Sequence, residues 1–78
     1  MMKRIELLQK IANNDIKKDT IIKVGDTLFI FLGEEYDSLR YLDDIDKGIY
    51  FSEFYNLNNN DVEIKERGED SEKNRVSK

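Results

Sequence analysis

The sequence predicts one small α+β domain, an N-terminal helix packed on a mostly antiparallel sheet of about three to five strands. Three observations lead there. Apolar residues recur at helical spacing between Lys3 and Asn13, "TIIKVGDTLFIFLG" reads as two strands around a tight turn, and "DVEIKE" alternates with period two.

In the opening segment, Ile5, Leu8 and Ala12 fall on one helical stripe with Leu7 and Ile11 beside it, while Lys3, Arg4, Glu6, Gln9 and Lys10 lie mostly outside. "NND" ends the helix, because short polar side chains compete for backbone hydrogen bonds and tolerate left-handed backbone. Thr20 to Val24 and Thr27 to Leu32 are rich in β-branched and aromatic residues and flank Gly25-Asp26, which suits a two-residue hairpin turn. Ile22 and Val24 are expected to share a face with Leu28 and Ile30. "LFIFL" is apolar on both sides, so Phe29 and Phe31 must either meet other elements or form an association surface.

After the turn at Gly33 to Glu35, "YDSLRYL" alternates as a third strand would, with a short helix as the alternative. "LDDIDKG" is expected to be a solvated acidic loop. Ser52 could then cap a helical turn containing Glu53, Phe54 and Tyr55. Val62 and Ile64 should face inward from a last strand, against Asp61, Glu63 and Lys65 outward. The domain therefore covers residues 1–66. The remainder, 67–78, holds one apolar residue, Val76, and is expected to be a disordered charged tail.

Composition narrows the chemistry. Seventy-eight residues make a domain that buries roughly 60% of its unfolded surface. With no cysteine and no histidine, there is no disulfide, no thiolate nucleophile and no imidazole base or metal ligand. No apolar run approaches the ~20 residues of a membrane span and no signal peptide is visible, so a soluble, cytoplasmic protein is expected, with no membrane partner. The net charge of -4 is unevenly placed: six basic against three acidic residues through Lys23 (+3), three against eleven from Asp26 to Glu66 (-8), and four against three in the tail (+1). Such an acidic body repels phosphate backbones, which argues against direct nucleic-acid binding and for a basic protein partner.

The aspartates of the acidic loop do not form an EF-hand. Counting from Asp43 places Ile45 at position three and Phe54 at twelve; counting from Asp44 places Gly48 at five and Tyr55 at twelve. Glu53 with one aspartate could in principle form an acid–base pair, but a domain of this size has little volume to enclose a substrate, so no catalytic residue, metal or cofactor is assigned. Tyrosine is an efficient interface anchor, and Tyr50 and Tyr55 are expected to be partly exposed beside core-closing Phe51 and Phe54. The candidate partner-binding residues are accordingly Asp37, Asp43, Asp44, Asp46, Tyr50, Glu53 and Tyr55.

The opening "RIELLQKIANNDIKKDTIIKV", the short strand pair and the closing "LNNNDVEI" together resemble small accessory proteins encoded by phages and prophages of low-GC Gram-positive bacteria. The resemblance covers about residues 2–66. It implies a non-enzymatic role in the host cytoplasm, inhibiting a host defence system in the manner of an anti-CRISPR protein. The partner would be a CRISPR effector or another nucleic-acid-handling protein, met through the acidic, tyrosine-bearing face. Two other expectations stand beside it. One is an oligomeric binder that sequesters a nucleotide signal, with Phe29 and Phe31 in a homo-oligomer interface and Lys10, Lys17, Lys18 and Lys23 as phosphate ligands. The other is a structural or regulatory phage adaptor.

Overall fold

The structure, a computed structural model, describes residues 1–33 and 35–68. It has one helix and a five-stranded antiparallel sheet, the α+β arrangement expected. Helix α1 (Arg4–Ala12) precedes β1 (Thr20–Val24), β2 (Thr27–Phe31), β3 (Ser38–Tyr41) and β4 (Asp44–Tyr50); a 3-10 turn (Phe51–Glu53) leads to β5 (Val62–Glu66). The spatial order is β4-β3-β2-β1-β5, so the first four strands form a meander and the last returns beside the first.

The β1–β2 turn fixes which side chains enter the core. A two-residue turn pairs Val24 with Thr27 and Ile22 with Phe29, so even positions of β1 share a face with odd positions of β2. Ile22 and Val24 therefore lie with Phe29 and Phe31, and the expected partners Leu28 and Ile30 are on the opposite face. Gly25 has φ +63° and takes the first turn position, as a type II′ turn prefers. Phe29 also stacks on Tyr41 across β3, with ring centroids 5.1 Å apart. Both phenylalanines are buried inside the chain's own core, at 4% and 1% exposure, so neither is left to build the interface between copies that the sequence suggested.

Leu7 and Ile11 of α1 complete that core together with Leu39, Phe54 and Val62. The buried stripe of the helix is thus Leu7 and Ile11 with Leu8 packed beside them, rotated from the expected Ile5, Leu8 and Ala12; Ala12 is exposed. The helix closes as a Schellman motif: Asn14, at φ +63°, donates its N–H to Ile11 O (3.1 Å), and Asp15 donates to Lys10 O (2.8 Å). At its other end, the N–H groups of Arg4 and Ile5 donate to Asn59 O and Leu57 O, which satisfies two donors that no helical carbonyl can reach. Met2 bridges to Val62 and extends this clamp.

Arg4 ties three elements together. Its Nε and Nη2 donate to the two carboxylate oxygens of Asp61 at 3.0 and 2.7 Å, and its guanidinium lies 5.7 Å from the Phe54 ring centroid. The carbonyl of Asp61 accepts the N–H of Gly25, joining the β1–β2 turn to the entry of β5. The hydrogen bonds from Arg4, and then its charge, hold the Asp61 carboxyl below its ordinary range. Because the folded value is depressed, the resulting stability is complete above the unfolded value of about 4 and is lost as pH falls through the folded one. Asp61→Asn should cost about 1–2 kcal/mol in urea denaturation at pH 7, and the gap to the parent should narrow progressively at low pH.

Where the chain was expected to leave the domain at residue 67, Arg67 and Gly68 still run beside the start of β1, and Gly68 donates its N–H to Thr20 Oγ1 at 2.8 Å. The rest of the expected tail, 69–78, lies outside the described residues.

Candidate functional site

The segment expected to be an acidic loop is mostly the edge strand β4, and its turn is only Leu42-Asp43. "YDSLRYL" supplies β3 and not a helix. The two strands pair as Ser38 with Tyr50, Leu39 with Ile49 and Arg40 with Gly48, after which the register jumps to Tyr41 with Asp44. Ile45, Asp46 and Lys47 consequently have no partner on β3 and form a wide bulge. Gly48 allows the strands to close up again, because a Cβ there would overlap the carbonyl of Leu39.

Arg40 organises the bulge. Its Nη1 donates to Ile45 O at 3.1 Å and its Nε to Ser38 Oγ at 3.1 Å, while its guanidinium lies 5.4 Å from the Tyr36 ring centroid. One half-buried cation therefore props the bulge outward. Ile45 is 54% exposed, and Asp44, Asp46 and Lys47 are exposed around it. The β1–β2 turn lies alongside, since Leu42 donates its N–H to Leu28 O at 3.1 Å. Asp26, Thr27, Leu28, Leu42 and Asp43 line a shallow open depression there.

The candidate residues thus divide between the two ends of the β3–β4 hairpin. At the turn end, Asp43, Asp44 and Asp46 join Asp26, Lys47 and Lys23, the last on β1 opposite Leu28, a local charge of -2 around exposed Leu28, Leu42 and Ile45. At the other end, about 10 Å away along the three residue steps of β3 from Tyr41 to Ser38, Asp37 accepts the N–H of Phe51 on its backbone carbonyl and Glu53 Oε1 accepts the N–H of Tyr50 at 3.2 Å. Glu53 rather than Ser52 secures that turn, and Ser52 lies within it. Phe54 is buried and Phe51 half-buried beneath it, in an edge-on pair. Tyr50 is 53% exposed and Tyr55 88%. The tyrosines and the three neighbouring aspartates therefore sit at opposite ends of one short hairpin, about 10 Å apart.

Sequence reasoning did not place Asp26, Leu28, Leu42 or Ile45 at the acidic end, and gave Arg40 no role. The signal available was the pairing of apolar with acidic residues in both hairpin turns, "VGDTL" and "YLDDI".

Apart from Lys23 and Lys47, most of the other basic residues sit elsewhere. Lys10 and Lys17 line a groove near the start of β1. Lys18 is paired with Glu35 at 3.9 Å, and Lys23 lies within β1 opposite Leu28 and Glu63. The two poles of the molecule are separated by the length of β1. Among the described residues, no three acidic side chains converge as metal ligands do, and no helix is long and apolar enough to cross a membrane. In comparisons with family models, curated proteins and solved structures, the chain gave no significant match.

Proposed function

We propose that this chain is a non-enzymatic binding protein that docks the turn end of its β3–β4 hairpin on a basic surface of another protein. The observation that carries the proposal is the apolar trio Leu28, Leu42 and Ile45, exposed at one tip and ringed by Asp26, Asp43, Asp44 and Asp46. The apolar centre supplies contact area that water penalises, and the aspartates select a cationic partner and steer its approach. Such a face competes for surfaces that otherwise hold nucleic acid. Edge acids also discourage strand-to-strand aggregation, but that role does not call for exposed leucine and isoleucine among them.

A role in inhibiting host defence, with a CRISPR effector or similar nuclease as the target, is supported by the resemblance of "RIELLQKIANNDIKKDTIIKV" and "LNNNDVEI" to phage accessory proteins. Under this proposal Tyr50, Tyr55, Asp37 and Glu53, at the other end of the same short hairpin, extend the contact surface. Capture from a bacterial lysate should recover a basic nucleic-acid-handling protein at low salt and release it as ionic strength passes about 0.15 M. Amide exchange in that complex should slow from Tyr41 to Lys47. Recovery of no such protein, or protection confined to α1, contradicts the proposal.

A further inference from the structure

The pole opposite the acidic tip carries a groove of about 330 Å³ between α1, the α1–β1 linker and the ends of β1 and β5. Its apolar lining includes Ile16 and Ile64, and its charged residues, among the described residues, are Lys10, Lys17, Arg67 and one acid, Asp15. None of the three cations is ion-paired with a described carboxylate. The hydrogen bond from Gly68 N–H to Thr20 Oγ1 holds the β5 end against β1 and fixes one wall. Thr20 Oγ1 in turn donates to Lys17 O at 2.7 Å, so the linker bearing Lys17 is anchored to the same wall.

We infer that this groove is a binding site for a small phosphomonoester with an apolar, donor-bearing body, of the nucleoside monophosphate class. Three cations against one acid favour an anion, and an arginine among them can grip two phosphate oxygens at once. The isoleucines give the uncharged part of the ligand a surface to cover. Asp15 discriminates further. It repels a second anionic group, which disfavours a polyphosphate or a nucleic-acid strand, and it can accept a hydrogen bond from a hydroxyl or amino group on the ligand. The volume sits at the small end of the range for ligand pockets, about 300–1,000 Å³. Unlike the site suggested by the sequence, this one lies within a single chain and requires no second copy.

Titration of the full chain with AMP, followed by amide chemical shifts, tests the inference. AMP should shift Ile16, Lys17, Ile64 and Gly68 and saturate at or below about 1 mM. Inorganic phosphate and adenosine, which each carry half of the ligand, should bind at least about tenfold more weakly. Lys10→Glu and Lys17→Glu should each lower AMP affinity at least about tenfold. Lys17→Glu, at an exposed linker position, should do so with the melting temperature unchanged, while Lys10→Glu, in the last turn of α1, should also lower that temperature by a few degrees because a carboxylate opposes the helix dipole there. Asp15→Ala should abolish the preference for AMP over phenyl phosphate, which has the anion and the ring but no donor. Equal binding of phosphate and AMP would reduce the groove to a general cationic surface and overturn the inference. So would an unchanged affinity in Lys17→Glu, or no response to AMP, as expected if a segment of the chain itself fills the groove.

Discussion

Phe31→Ala should remove about 3–5 kcal/mol of stability, a large share of what the domain has. Phe31 is 1% exposed and belongs to the buried cluster that also holds Phe29, Leu39 and, from α1, Leu7 and Ile11. Truncating a buried phenylalanine costs about 3–5 kcal/mol, because the lost transfer energy is joined by the cavity left behind. The whole domain has about 4–12 kcal/mol in reserve at its size, with no disulfide to limit the loss. Thermal melting followed by circular dichroism and urea denaturation should show the loss. Ile30→Ala, one residue away on the opposite face and half-buried, should cost about 1 kcal/mol. Equal melting of the two variants would place the core on the wrong side of the sheet.

That contrast also marks how far the sequence could be read. The β1–β2 hairpin was legible because "VGDT" combines a turn glycine with β-branched flanks, and β5 because "VEIK" alternates. The facing of β1 against β2 was misjudged, although it was implicit in the two-residue turn: with Val24 opposite Thr27, positions that sum to 51 pair, so Ile22 meets Phe29. β4 was missed for a different reason. An edge strand with a three-residue bulge has almost no buried side, and "DIDKGIY" therefore shows none of the alternation that identifies a half-buried strand. The rotation of the α1 stripe was ambiguous because Ile5, Leu7, Leu8 and Ile11 are all apolar. What selects Leu7 and Ile11 is the clamp at residues 57–62, which fixes the helix N-terminus and with it the roll of the helix. The candidate site was legible as charge and illegible as geometry. Asp26 and Asp43 are far apart in sequence and become neighbours only because the two hairpin turns emerge at one end of the sheet.

Reversing Asp43, Asp44 and Asp46 to Lys tests the central claim most directly. The acidic tip holds four aspartates with Lys23 and Lys47, a charge of -2, and three reversals add six units to make it +4. The three side chains are exposed, so each substitution should change stability by no more than about 0.5 kcal/mol. Attraction to a basic partner becomes repulsion. The measurement is the affinity of the triple variant for the captured partner, made beside its melting curve at low and physiological salt. The expected result is a melting temperature close to that of the parent with binding lost at both salt concentrations, while the parent binds tightly at low salt and more weakly as salt rises. A triple variant that folds and binds as tightly as the parent at low salt would contradict the account and place the docking surface away from the β3–β4 hairpin.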